Sequence, residues 1–454
     1  MTSPQASRLV VPSIAASQFA PPFMISGVAV ALPALGGDLA AGATALSLVE
    51  TLFLAAAVAA LLPFGRLGDA GDKAVLYKLG MAAFAVSSLL IGLAPSMPVL
   101  LALRFVQGIA SAAVQATGTA LVADLVPPER RGRAFGMTIG SIYAGLTLGP
   151  VCAGFLVDQW GWRAVFLAGG VLVLALLAPV LFLLRSTARR PARGAVHAPS
   201  TALITLAMLA LVGGVSSLRE GAVSYIALAV GLTLFVIFLL YQKRLQQPLL
   251  NVQVLMQNRV LRNALLVQWL LYCNAFGTVF LLSVHLQSVL GHAANTAGQV
   301  IAFGSLLMAL IAPFAGRLTD RYRPTVLATC GVAIALASAV LGARLGAGSQ
   351  LPAVALVLAV QGAGFAFFST PNMAMIMNAV PRERTGIASA LAAGARSLGM
   401  VSGMLIVAAL VSLNLGHDPL GADPARFVAT MRASFWTLVG TTAAALAVSF
   451  RIKG

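Results

Sequence analysis

Of the 454 residues, 59% are hydrophobic and only 9% charged, whereas a water-soluble domain carries about 25% charged residues; a globular fold in water is excluded. Lys and Arg number 29 against 12 Asp and Glu, a formal charge of +17, which in a soluble protein would point to nucleic acid. Here the basic residues fall in short clusters between apolar runs, as in cytoplasmic loops facing anionic lipid headgroups, so membrane lipids are the expected partner and nucleic acid is not.

A transmembrane helix needs roughly 20 mostly apolar residues. Scanned on that basis, the chain holds fourteen. The first, near 10 to 35, is too long for a signal-peptide core and reads as a true span. Five more follow near 45–64, 74–95, 98–125, 134–157 and 163–184. A basic stretch with Arg185, Arg189, Arg190 and Arg193 leads to two spans near 200–217 and 222–241. The last six fall near 262–289, 295–315, 325–343, 352–379, 386–413 and 430–450. The expected organisation is a six-helix bundle over 1–184, a linker with two extra helices over 185–259, and a second six-helix bundle over 260–454.

Loop charge tests this count, because one missed helix would invert every later loop. With the N-terminus in the cytoplasm, only Arg163, Arg219, Arg344, Arg426 and Arg432 fall on the outer side. Arg104 and Arg396 lie inside helices, and every other basic residue is cytoplasmic. The reading puts both termini inside an inner, multi-pass cell membrane. Cys152, Cys273 and Cys330 lie in or beside apolar runs without paired spacing, so packing roles are expected, with neither a disulfide nor a metal site.

Two blocks recur along the chain. GRLGDAGDKAVLYKLG from Gly65 matches GRLTDRYRPTVLATCG from Gly316, and Val106-Gln107-Gly108 with Val126-Pro127-x-Glu129-Arg130 recurs as Val360-Gln361-Gly362 with Val380-Pro381-x-Glu383-Arg384. The two copies lie an even number of spans apart, which gives both the same orientation: a parallel duplication with a two-helix insert.

In chain order, the motifs begin in the first span, Phe23 to Pro33, which has no acidic residue. Glu50 in the second span is the one carboxylate well inside a helix, and Asp124 lies near the cytoplasmic mouth of the fourth. Gly65-x-Leu67-x-Asp69 follows the second span, and Gly316-x-Leu318-x-Asp320-Arg321 the tenth; glycine permits a sharp turn there, and the carboxylates can bind helix N-termini or Arg side chains. Arg104-x-x-Gln107-Gly108 places a cation at membrane depth, which costs about 2.5 to 3.5 kcal/mol on insertion scales and marks a functional candidate. Its counterpart in the second half is Leu358, so the need is not common to both halves. Gly145-x-x-x-Gly149-Pro150-x-x-x-Gly154 in the fifth span offers a small-residue packing face and a bend. Trp160-Gly161-Trp162-Arg163 reads as part of the interfacial aromatic belt.

These motifs resemble the major facilitator superfamily, in particular its fourteen-helix drug:proton antiporter branch, over essentially the whole chain. The resemblance implies two facing six-helix bundles plus two linker helices and alternating access by rocking about a central cavity. It implies a conformational latch at Gly65, Asp69, Gly316, Asp320 and Arg321, proton coupling at Arg104, and an antiporter motif at Gly145, Gly149, Pro150 and Gly154. Ala70 and Asp72 depart from the loop pattern, where Arg and Gly are usual. Met24 and Ala29 stand where the branch commonly has Asp and Asn, which leaves Glu50 as the substitute proton carrier and Asp124 as the reserve.

Polar residues expected to line the cavity are Gln18, Ser26, Gln107, Gln115, Tyr143, Gln268, Tyr272, Asn274, Gln361 and Asn372, together with Arg396 in the thirteenth span. The leading function is proton-driven efflux of a lipophilic or amphipathic small molecule by a monomer without cofactor. No phosphate-binding loop occurs that would supply an internal ATP motor. One alternative is a symporter or facilitator for an organic anion, with Arg104 and Arg396 as counter-ions. The other, an intramembrane enzyme, lacks a nucleophile–base or metal set: His197, His285, His292 and His417 are scattered.

Overall fold

The computed structural model describes residues 4–126, 131–186, 198–218, 221–245, 258–319, 321–380, 385–416, 418 and 423–452. Among them helices follow one another in the order α1 (Leu9–Asp38, with a break at Gln18–Phe19), α2 (Ala43–Ala70), α3 (Lys73–Gly92), α4 (Met97–Leu125), α5 (Arg131–Trp160) and α6 (Trp162–Leu183). The insert supplies α7 (Ala198–Ser216) and α8 (Ala222–Gln242). The second half supplies α9 (Arg259–Val284, extended by a π turn over His285–Val289), α10 (Ala294–Thr319), α11 (Pro324–Ala343), α12 (Leu351–Asn378), α13 (Thr385–Asn414) and α14 (Pro424–Ser449). Thirteen are long and apolar enough to cross a membrane on composition. The other, α14, has 26 residues, a length of about 39 Å at 1.5 Å per residue, and packs against α9 and α11 as its counterpart α6 packs against α1 and α3.

Local chemistry sets several helix starts. Asp72, the residue that departs from the loop signature, caps α3: its carboxylate accepts from the backbone of Ala74 at 2.9 Å and Val75 at 3.2 Å. Asn258 caps α9 and Asp423 caps α14, each accepting one backbone N–H at 3.0 Å. A cap of this kind contributes about 1 kcal/mol. Proline in the first turn of α4, α11, α12 and α14 removes a donor the helix could not have used.

Hydrophobic burial does not hold helices together in lipid; close van der Waals contact between small residues does. The two halves use equivalent glycines for it. Gly108 of α4 lies against the Phe53 carbonyl of α2, and Gly362 of α12 against the Gly304 carbonyl of α10. Gly80 sets α3 against Ala110 and Ala113 of α4, and Gly331 sets α11 against Gly364 and Phe368 of α12. Gly145 and Gly149 of α5 face Phe19 and Phe23 of α1, as Gly399 and Gly403 of α13 face Trp269 and Cys273 of α9. The duplication seen in the sequence is therefore a duplication of packing. The halves meet along α5–α10 and α2–α13, and α7 lies beside the second seam, touching both α2 and α13.

Two local expectations are corrected. Gly65 is not at a turn: α2 runs unbroken to Ala70 and ends at Gly71, and Gly316 likewise lies within α10. Neither glycine is crowded, and with no proline after Pro63 the helical hydrogen bonds simply continue. Trp162 is not a belt residue. It is buried, and its indole N–H donates to Asp38 at 3.0 Å, while Arg163 pairs with the same carboxylate and stacks on the Trp162 ring. Trp160, across Gly161 with its positive φ of 78°, is the exposed ring. Cys330 is exposed on α11, whereas Cys273 is buried.

Candidate functional site

The strongest polar cluster lies inside the first bundle, where α2, α3 and α4 meet. Gly108, one turn from Arg104 on α4, brings α4 against the backbone of α2, so the long Arg104 side chain has no exit to water and is fully buried. Its Nε donates to the Val49 carbonyl at 2.9 Å, one terminal nitrogen to Gln107 Oε1 at 2.7 Å, and the other pairs with Glu50 Oε2 at 3.3 Å. The Phe53 ring lies 4.4 Å from the guanidinium carbon. Gln107 in turn donates to Ser88 of α3 at 2.7 Å, and Ser88 to the Phe84 carbonyl. Glu50 itself is buried, and its second oxygen, Oε1, has no hydrogen-bond partner. An orphaned carboxylate oxygen at that depth is costly unless it has a use. Gln107 is fully buried, with its oxygen on Arg104 and its nitrogen on Ser88, so it serves Arg104.

Asp124, the reserve candidate, lies at the other end of α4 and is half exposed. It pairs with Lys73 at 2.7 Å, tying the end of α4 to the start of α3. Arg321 is exposed in the turn after α10. The side chain of Asp69, and Asp320 altogether, lie outside the described residues.

The cavity candidates divide by half. Gln18 is buried against Tyr77 and the Val114 carbonyl, and Ser26 against its own helix and Gly145. Gln115 is held by Ser111 within α4. In the second half, Gln268 donates to the Ala392 carbonyl at 2.7 Å and accepts from Asn372 at 2.8 Å; Asn372 Oδ1 has no partner. Asn274 bonds Thr278 and reaches the Ala335 carbonyl, and Gln361 reaches the Asn274 carbonyl. Most of these groups join helices within one bundle. Tyr272, Arg396 and Tyr143 are the ones that converge: the Arg396 guanidinium lies beside the Tyr272 phenol, and Tyr143 of the opposite half is within electrostatic reach of it. An open apolar groove of about 380 Å³ between α1 and α5, lined by Pro12, Ala15, Met137, Gly140 and Ala144 among others, contains none of the expected polar residues.

The lower part of the Gly-Pro motif belongs to the seam. A Cβ at Gly154 would strike Ala294 and Asn295 of α10, and one at Gly298 of α10 would strike the Pro150 carbonyl. Four residues past Gly154, Asp158 of α5 reaches across the seam and caps α10, accepting from Ala294 N at 3.2 Å and Asn295 N at 3.0 Å. Further bonds between the halves gather at the same end of the molecule. Ser283 donates to Ala29 O at 2.7 Å, Gln287 to Val30 O at 3.0 Å, and Thr44 to Gly416 O at 2.8 Å. Between Ser283 and Gln287, His285 is buried at the head of the π turn, and neither ring nitrogen has a partner. Sequence reading passed over Asp158, Ser283 and Gln287, and named His285 only among four scattered histidines. The i, i+4 polar pair Ser283/Gln287 at the end of an apolar span was the available signal.

Two parallel six-helix halves, joined at two seams and carrying ionisable groups at membrane depth, define a multi-pass membrane transporter. The chain belongs to the Major Facilitator Superfamily, whose sequence model matches residues 14–256 and 264–453. Among similar proteins, the riboflavin transporter RibZ of Clostridioides difficile is 26% identical over 418 residues, covering 90% of this chain and 89% of that one. The multidrug resistance protein Stp of Mycobacterium tuberculosis is 29% identical over 400 residues, covering 85% and 72%. A crystal structure of a bacterial homologue of the human lysosomal transporter Spinster, inward-facing and unoccupied, matches with a TM-score of 0.72 at 16% identity, covering 100% of this chain and 98% of that one. At that identity the likeness establishes the fold alone.

Proposed function

We propose that the protein exports lipophilic or amphipathic small molecules by alternating access, driven by inward proton movement. The observation that carries export is the α5–α10 seam. Pro150, Gly154 and Gly298 bring two backbones into contact between the halves, where a rocking motion must either slide or part them. Gly145 and Gly149 have counterparts in Gly399 and Gly403 and serve packing common to both halves; Pro150 and Gly154 align with Met404 and Ala408, and are the part peculiar to this side. The relative Stp, named for multidrug resistance, supports the same direction.

Proton coupling is assigned to Glu50 with Arg104, and Asp124 with Lys73 becomes a tie at the cytoplasmic mouth. When Glu50 takes a proton the ion pair is lost, and Arg104 is held only by Val49, Gln107 and the Phe53 face; that is a local two-state element. Gly65, Asp69, Gly316, Asp320 and Arg321 keep their assignment as the cytoplasmic latch. Closure of the seams at the end that loop charge assigns outward makes this an inward-facing state. Both termini are cytoplasmic, the monomer is the working unit, and the boundaries at 184/185 and 259/260 separate bundle, insert and bundle.

Reconstitution into proteoliposomes tests the reading. Adding substrate against an imposed pH gradient dissipates that gradient if transport is antiport. Co-movement of substrate and protons in the same direction would instead establish the symporter reading, which Arg396, without an acidic partner among the described residues, favours.

A further inference from the structure

We propose that Arg396, Tyr272 and Tyr143 form the recognition site for the exported compound, and that the site takes planar aromatic anions rather than cations. The inference rests on the export reading above and gives it a substrate class.

The three residues come from three helices and both halves. Arg396 of α13, Tyr272 of α9 and Tyr143 of α5 each sit roughly 16 to 20 Å along their helices from the end that loop charge assigns to the cytoplasm, at about 1.5 Å per residue. They therefore share one depth near the bilayer midplane. All three are partly exposed there, and the helices they stand on flank the space between the halves. Gly399, one turn beyond Arg396, brings α13 against the Trp269 carbonyl and Tyr272 Cβ, which holds the guanidinium beside the phenol. The Tyr272 ring is braced edge-on by Phe365, with centroids 5.1 Å apart and planes at 79°. Tyr143, on α5 of the opposite half, is within electrostatic reach of Tyr272.

Charge decides the class. Arg396 makes no ion pair with any described residue. The acidic residues of the spans are used elsewhere: Glu50 faces Arg104, Asp38 binds Arg163, and Asp158 caps α10. Asp124 and Lys73 pair at a helix end. In the first helix Met24 and Ala29 are buried and apolar, and its one carboxylate, Asp38, sits at the last residue and is the one bound to Arg163. Among the described residues, Arg396 is thus a cation without a carboxylate partner, set beside Tyr272. A cationic substrate would meet a like charge in low dielectric with nothing to balance it. An anion meets a planar guanidinium that can bond a carboxylate in two places, while its ring stacks among Tyr143 and Tyr272. The arginine is also special to this half: the position equivalent to Arg396 in α5 is Ile142, so symmetric packing does not require it.

Three probes of one shape test the proposal on the full chain in nanodiscs: anthracene-carboxylate, its methyl ester and aminomethyl-anthracene, with affinities from calorimetry. The carboxylate is expected to bind about ten- to a hundred-fold tighter than the ester, the range for a charge-assisted hydrogen bond, and the amine weakest. In Arg396→Gln the carboxylate and ester should bind equally while ester affinity is unchanged; Arg396→Lys should retain part of the preference. Equal wild-type affinity for acid and ester, tighter binding of the amine, no saturable binding of any probe, or an acid preference that survives in Arg396→Gln would each overturn it. If Arg396→Gln does not fold, the wild-type series and Arg396→Lys decide. Proteoliposome transport of the same probes separates the two claims: anion preference without export sinks the export reading and leaves the site, and export with amine preference does the reverse.

Discussion

Neutralising Glu50 probes the buried network most directly. Stranding one member of a buried ion pair costs about 3 to 5 kcal/mol. Glu50→Gln removes the charge but keeps an oxygen for Arg104, and Arg104 keeps the Val49 carbonyl at 2.9 Å, Gln107 at 2.7 Å and the Phe53 face at 4.4 Å. The expected loss is therefore about 1 to 3 kcal/mol, readable as a lower unfolding temperature in detergent. Replacing both charges, Glu50→Leu with Arg104→Leu, leaves no stranded ion and should recover most of that loss; leucine already stands at the position equivalent to Arg104 in α12. Coupling should behave differently. Neither Glu50→Gln nor the double variant should concentrate substrate under a pH gradient in proteoliposomes, while substrate binding stays within about threefold, because Glu50 and Arg104 are buried and bonded among α2, α3 and α4. A Glu50→Gln protein that still drives uphill transport with unchanged pH dependence would refute the assignment, and the orphaned oxygen would then be a packing feature only.

Gly149→Ala should force α5 away from α1, since a Cβ there strikes Ser26 and the Phe23 carbonyl, whereas Gly140→Ala on the same helix meets open space; thermal stability in detergent should fall for the first and hold for the second. Asp158→Ala removes a cap that bridges the halves, and a loss of about 0.5 to 2 kcal/mol should raise the share of molecules open at that end several-fold. Spin-label distances between the outer ends of α5 and α10 measure this, and an unchanged distribution would remove Asp158 from the gate. A reporter fused after Gly454 should be active only on the cytoplasmic side; activity outside would break the fourteen-helix count. Asp320→Asn should slow transport more than it weakens substrate binding, because the latch biases states rather than touching cargo; equal rates with altered affinity would contradict it.

Much of the architecture was legible in one dimension because lipid imposes local rules. Every span must satisfy its own backbone, so hydropathy alone locates it, and loop charge orients it. The repeat was legible for a related reason: Gly108/Gly362 and Gly80/Gly331 each serve a helix–helix contact that both halves need, and a contact needing no side chain keeps its glycine at a fixed place in the pattern. Glu50 and Arg104 were also visible singly, since a charge inside an apolar run is conspicuous. Their partnership was not. It joins residues 50 and 104, then Gln107 and Ser88, and depends on how α2, α3 and α4 are rotated about their axes, which hydropathy averages away when a helix is apolar all round. Helix rotation likewise turned Gln107 into a partner of Arg104 and set Arg396 beside Tyr272, with Tyr143 of the other half within electrostatic reach. Asp158 shows the limit most plainly: in the sequence it is an acid near a helix end, and only the docking of α5 on α10 puts the N–H groups of Ala294 and Asn295 within its reach.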